Sequence, residues 1–326
     1  MDRRSFIQGA GALMLGAALP RGTFAANPTA PGRLVFGIPS GAVGSRLAEV
    51  ALQLLAREYK LDYRLDVRDQ RNTQEATELV KAAAPDGATL LQAQSGTMVL
   101  LPNIYRSVNY NPVTDFTPLA MLGEFTYTLT VGPAVPASVK DIEGYVAWVN
   151  QNPEYRDLGF SVYGSQVHLI SLMLARGRQI ALRPLPYKSP RSLAADVENG
   201  TLAAAIMLGG SAAAVGSKNL RNLAISSSQR VPMLPDLPTF KEQGLPEITL
   251  TGWYAWYAPA RTPSALTQSL HDKLMAIQTL PEFVAMQKKI MVTPLNLSPD
   301  QITARIRQET VSYRDLVTRY GLSQMV

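Results

Sequence analysis

Residues 33–56, RLVFGIPSGAVGSRLAEVALQLLA, constrain the fold more than any other stretch, because they read as a strand, a loop without side-chain bulk and a helix in direct succession. Leu34, Val35, Phe36 and Ile38 form a short apolar run that stops at Pro39, the pattern of a buried parallel strand. Ser40-Gly41-Ala42-Val43-Gly44-Ser45 follows, and Leu47, Val50, Ala51, Leu54 and Leu55 then recur at helical spacing, with Ser45 or Ser40 as candidate N-cap. A bulk-free loop exposes its backbone N–H groups. At a helix N-terminus those orphan donors and the positive end of the dipole suit an anion, the dipole contributing roughly 0.3–1 kcal/mol. Taken alone, the stretch has a simpler reading as one tight βα turn. Neither nucleotide fingerprint is met, since no Gly-Lys-Ser/Thr and no GxGxxG is present.

The rest of the chain keeps alternating strand and helix patterns. Residues 62–68 predict a second strand, 75–84 a helix and 88–93 a third strand, after which Gln94-Ser95-Gly96-Thr97 is another polar, small-residue loop opening a helix. Residues 116–131 carry two apolar pieces broken at Gly123-Glu124, read as a crossing into a second lobe. There the same order returns: helix 139–150, strand 158–162, the loop Tyr163-Gly164-Ser165, helix 167–175, strand 182–187, helix 192–198 and strand 202–207. Strand 220–226 leads back, 249–258 is an aromatic-rich strand, and helices 263–278 and 299–320 close the chain. The expectation is an α/β protein of two lobes, with lobe 1 from 27–124 and 226–326 and lobe 2 from 125–225. Ligands of such folds bind at the carboxyl ends of parallel strands.

Residues 1–26 read as a targeting segment. Arg3 and Arg4 precede an uncharged run too short to span a bilayer, which points to twin-arginine export, and Thr23-Phe24-Ala25-Ala26 offers a small-residue cleavage site. An uncleaved anchor is the alternative. The 31 Lys and Arg exceed the 25 Asp and Glu only modestly, and they are scattered, so nucleic acid is not implied, while anionic ligands are mildly favoured. Cysteine is absent, which excludes disulfides and thiol chemistry.

Catalytic constellations are thin. With only His168 and His271, and no HxxxH, HExxH or GxSxG, neither a zinc site nor a Ser-His-Asp triad is expected, and no cofactor is implied. His168, just after Gly164-Ser165, has three readings: helix packing, a polar group of a pocket, or a base. Trp253, Tyr254, Trp256 and Tyr257 alternate, so half should pack inward and the rest are candidates for a pocket wall.

Several motifs then line up in order. Pro39-Ser40-Gly41 with Arg46-Leu47-Ala48, Ala84-Pro85-Asp86-Gly87-Ala88-Thr89-Leu90-Leu91, Asn111-Pro112-Val113-Thr114-Asp115-Phe116, Gly164-Ser165-Gln166-Val167-His168-Leu169, Tyr187-Lys188, Leu234-Pro235-Asp236-Leu237-Pro238-Thr239, Glu242-Gln243-Gly244 and the run from Trp253 to Thr262-Pro263 are such pieces. From about Leu34 onward the chain resembles the Bug-type extracytoplasmic solute receptors of tripartite tricarboxylate transporters. The resemblance implies a type II periplasmic-binding-protein fold whose two lobes close over a small carboxylate, with no catalysis, a membrane permease as partner and a monomeric, periplasmic receptor. It places the ligand against Ser40, Gly41, Ala42, Val43 and Gly44 on one side and Tyr163, Gly164 and Ser165 on the other, with Ser95, His168 and Met207 nearby. The chain departs from the family's pattern at Gly44 and at Met207 or Leu208, where acids are common, and at Arg71-Asn72-Thr73-Gln74, where a glycine-rich turn is usual. Without those acids the cleft should prefer an amine-free organic acid, with Val43, Tyr163, Met207 and Trp253 as candidate walls and Lys188 or Arg191 near a second carboxylate. Two other classes remain: a carboxylate-sensing binding protein for a signalling partner, and a Tat-exported periplasmic enzyme.

Overall fold

The computed structural model describes residues 31–211, 217 and 219–322. The export segment assigned to residues 1–26 lies outside the described residues. Among those described, no helix is long and apolar enough to cross a membrane.

The strands β1 (Gly32–Phe36), β2 (Tyr63–Val67), β3 (Thr89–Gln94), β4 (Phe116–Val131), β5 (Asp157–Ser161), β6 (Arg183–Tyr187), β7 (Ala204–Leu208), β8 (Arg221–Ile225), β9 (Thr251–Pro259) and β10 (Val292–Thr293) form two runs of sheet that share β4. In the first, β1 lies parallel between β2 and β3, and antiparallel β9 joins β3 to β4. In the second, β4 pairs antiparallel with β7 and β8, and β5 lies parallel between β7 and β6. The exchange of partners is abrupt: Thr126 still faces Thr251 of β9, while Tyr127 already faces Leu208 of β7. Around the sheets lie α1 (Val43–Tyr59), α2 (Gln74–Lys81), α3 (Leu101–Ile104, after a π-type turn at Gly96–Leu100), α4 (Ile142–Gln151), α5 (Gln166–Gly177), α6 (Pro190–Glu198), α7 (Ser264–Gln278), α8 (Pro281–Lys289) and α9 (Pro299–Tyr320). The architecture is the expected two-lobe α/β fold.

Three local expectations change. The break anticipated at Gly123-Glu124 is absent, and β4 is a single strand of 16 residues with register shifts at Pro118/Ala120 and Met121/Gly123. Gly123 serves as a bulge where β10 comes close, since a β-carbon there would stand 2.7 Å from the Thr293 carbonyl oxygen. Trp253, Tyr254, Trp256 and Tyr257 are all buried, because β9 is a central strand covered on both faces, so alternation does not divide them into core and surface. Neither Ser40 nor Ser45 caps α1. Its N-cap is Ala42, with no side-chain bond, and the Ser45 hydroxyl donates to the Ala42 carbonyl at 2.9 Å. Two short elements, α8 and β10, carry too little periodic signal to be read from the sequence. By contrast α9 has every local signal present: the Ser298–Gln301 capping box, Pro299 at its start and Gly321 at its end.

Candidate ligand-binding cleft

A cavity of about 50 Å³ opens at the carboxyl ends of β3, β5 and β7 and just beyond β1, where residues 38, 94, 161, 207 and 208 line it. One water needs roughly 10–15 Å³. Two helix starts flank the cavity from opposite sides: Gly41, Ala42 and Val43 at α1, and Ser165, Gln166 and Val167 at α5. Neither start has a side-chain cap or an acid in its first turn. Apart from the Gly44 N–H, which the Tyr254 phenol oxygen accepts, their first-turn N–H groups and dipoles stay available to an anion. The Ser165 hydroxyl is turned back, donating to the Ser161 carbonyl at 3.1 Å.

The rest of the lining is apolar or neutral. Tyr127, Val162, Pro190, Leu193, Met207 and Tyr254 form walls, and no charged side chain lines the cavity among the described residues. Burial pushes the Tyr127 and Tyr254 phenols up, which keeps both protonated as donors. Gln94, Ser161, Gln166 and Ser211 add polar groups that sequence reasoning missed. For Gln94 a signal existed. Gln94 ends a strand and opens the polar, small-residue loop Gln94-Ser95-Gly96-Thr97, the kind of strand end where ligands of such folds bind.

Of the expected site residues, Gly41, Ala42, Val43, Ser165 and Met207 line the cavity, and the others stand elsewhere. Ser40 is exposed on the loop outside it, and Tyr163 is 54% exposed. Trp253, expected as a wall, instead donates its indole N–H to Glu309 at 2.9 Å. Gly44 is buried and does not line the cavity: a β-carbon there would strike Phe36 and Tyr254 at 2.6 Å. Ser95 is fully buried, its hydroxyl accepting from Gln166 Nε2 at 3.0 Å and lying 3.4 Å from the Trp253 N–H, so it ties α5 to the first sheet. Gly164, at φ 75°, gives its N–H to His168 Nδ1 at 3.3 Å, so that amide is engaged before any ligand arrives.

His168 thereby resolves into the packing role. Its ring stacks on Phe160 at 4.5 Å and packs at a tilt against Tyr163 at 4.4 Å, and burial lowers its pKa to about 4. It is neutral near pH 7, and its acceptor nitrogen holds the turn that presents Ser165.

Two more contacts cross the cleft. Asn72 Nδ2 donates to the Tyr163 carbonyl at 3.1 Å from a turn in which Arg71, Asn72 and Thr73 all have positive φ, the conformation a glycine-rich turn would adopt freely. Arg191 of α6 lies against Gly41 of the first loop.

Over residues 72–322 the sequence matches the family profile of the tripartite tricarboxylate transporter family receptor. The chain belongs to this family. The receptor is 25% identical over 300 residues to protein BugT of Bordetella pertussis, a match covering 90% of each chain. Its fold matches R. palustris Rpa4515, solved with adipate, at a TM-score of 0.84 and 24% identity, covering 91% of this chain and 99% of that one. It matches the periplasmic binding protein BugD at 0.82 and 22% identity, covering 91% and 100%. In this receptor the matched region contains the Asn72 turn, α5 and its preceding loop, and the carboxyl ends of β3, β5 and β7.

Proposed function

We propose that this receptor captures a small organic carboxylate between its lobes, in the periplasm, and delivers it to the membrane permease subunits of a tripartite tricarboxylate transporter. The observation that carries the reading is a cavity bounded by two uncapped helix N-termini from opposite sides of the cleft, with no acidic residue lining it among those described. The carboxylate takes the free N–H groups at Val43 and at Gln166–Val167, and its body lies against Tyr127, Leu193 and Met207, as in an apolar pocket with a few oriented polar groups. The family description and the adipate bound to Rpa4515 agree with that chemistry. The domains are lobe 1, 27–124 and 226–326, and lobe 2, 125–225. Residues 1–26 are a twin-arginine signal removed on export, and the mature receptor works as a monomer. It performs no catalysis: His168, the histidine nearest the cleft, is committed to the Gly164 turn.

A buried ammonium needs an anionic partner, and this lining supplies none, so the preferred acid lacks an amine. The test is a thermal-shift panel of adipate, malate, benzoate, glutamate and aspartate, followed by calorimetry. A ligand at one hundred times its Kd stabilises the folded state by about 2.7 kcal/mol, which such a panel resolves. Adipate, malate or benzoate is expected to raise the melting temperature. Micromolar binding of glutamate or aspartate, with no response to the three amine-free acids, would sink the proposal.

A further inference from the structure

No charged side chain lines the cavity among the described residues, yet a cation stands at its rim. Arg191 is the second residue of α6, the helix whose Pro190 and Leu193 line the cavity. Its Nη2 lies 3.4 Å, and its Nε 3.9 Å, from the point a β-carbon on Gly41 would occupy, so the guanidinium from one side of the cleft rests on the cavity-lining loop of the other. Four surface arginines are neutralised by carboxylates, Arg33 by Asp66, Arg71 by Glu78, Arg183 by Asp157 and Arg230 by Glu242, while Arg46, Arg64, Arg106 and Arg191 are among those without an ion pair among the described residues; what sets Arg191 apart is its place against the cavity-lining loop. Arg191 forms no ion pair and no hydrogen bond among the described residues, and it is exposed. Lys188, the neighbouring cation, is exposed as well.

We infer that Arg191 is a specificity-determining residue of the cleft, pairing with a carboxylate of the bound acid where it emerges beside Gly41. The inference rests on the carboxylate-receptor reading and deepens it. Three physical points support the assignment. The planar guanidinium fork matches a carboxylate and can bind it through two parallel hydrogen bonds. A residue without a β-carbon at 41 leaves the space in which the fork and an anion meet, while any side chain there would face the guanidinium at van der Waals contact. The positive φ of 86° at Gly41 is a conformation that glycine holds without strain and a residue with a β-carbon does not, which keeps that space open. An anion held on the α1 amides beside Gly41 would then meet the Arg191 guanidinium, and a neutral ligand of the same shape would leave that charge without a partner.

The experiment measures binding of adipate, malate and benzoate to the full mature receptor by calorimetry at low and high sodium chloride, for wild type, Arg191→Gln, Arg191→Lys and Lys188→Gln. Arg191→Gln should weaken the tightest of the three acids by about 10–100-fold and flatten the salt dependence of its affinity. Arg191→Lys should fall between, because it keeps the charge and loses the fork. Lys188→Gln should bind as wild type, and the ligand-free melting temperature of Arg191→Gln should not move, since Arg191 holds no other group. If wild type binds one of the acids and Arg191→Gln binds it within twofold, with an unchanged salt dependence, the assignment of Arg191 is wrong while the receptor reading stands. If wild type binds none of the three, the receptor reading fails, and the role of Arg191 fails with it.

Discussion

His168 shows how one buried side chain can govern a binding loop without touching a ligand. Its Nδ1 accepts the Gly164 N–H only while the ring is neutral, and burial keeps its pKa near 4, below the ordinary histidine value. The unfolded chain therefore binds a proton that the folded chain refuses between roughly pH 6.5 and 4. The stabilisation is fully present above pH 6.5 and is lost as pH falls through that window. Urea unfolding at pH 7.5, 5.5 and 4.5 should show this decline, and His168→Asn, which keeps an acceptor but cannot titrate, should flatten it. An identical pH profile in the variant would refute the assignment. Next to this loop, Val162 has φ 69°, a conformation that costs a β-branched residue about 1–2 kcal/mol and that is held at the cavity rim.

At the scale of elements, the informative feature is what α1 lacks. Ala42 has the extended backbone of an N-cap, φ −72° and ψ 166°, but no side-chain oxygen to satisfy the first-turn N–H groups. An uncapped helix start costs stability, and here the free donors face the cavity. Ala42→Asp should therefore have two opposed effects: a gain of about 0.5–1 kcal/mol in stability from the cap, and loss of acid binding, because the new carboxylate occupies the donors itself. Urea midpoints and calorimetry measure the two. Retained binding in Ala42→Asp would show that the ligand's carboxylate does not use the α1 start. The helix α6 behaves differently, since Ser189 caps it by accepting from the Ser192 N–H, so its contribution to the cleft is Arg191 and not its own N-terminus.

For the whole molecule, β4 is the shared strand. Its partners change between Thr126 and Tyr127, and the returning chain is fastened at the same place. Ser226 gives its N–H to the Tyr127 carbonyl at 2.9 Å, and its hydroxyl accepts the Tyr127 N–H at 2.9 Å while donating to the Leu250 carbonyl. Rotation of one sheet against the other about this pair of crossings is the simplest closing motion. The Asn72–Tyr163 hydrogen bond spans the cleft away from the crossings, so it favours the closed arrangement by about 0.5–1.5 kcal/mol. Small-angle scattering should show the wild-type radius of gyration falling on addition of a binding acid. Asn72→Gly keeps the backbone conformation and removes the bond, so its ligand-free radius should be larger and its affinity about 2–10-fold weaker. A radius unchanged by ligand in both proteins would count against hinge closure.

The sequence by itself determined the order of the longer strands and helices, the two bulk-free loops at helix starts and the absence of metal and nucleotide motifs, because periodicity, caps and turn residues act over a few neighbouring positions. Of the residues that the family resemblance pointed to, Gly41, Ala42, Val43, Ser165 and Met207 line the cavity. Tertiary structure alone decided the rest. Gly44 is buried because Phe36 and Tyr254 pack against it, Ser95 is taken up by Gln166, and the Gly164 amide is taken up by His168. Arg191 reaches Gly41 across 150 positions of sequence. Such contacts depend on how two sheets lie about one shared strand, and local pattern in the chain carries no record of that distance.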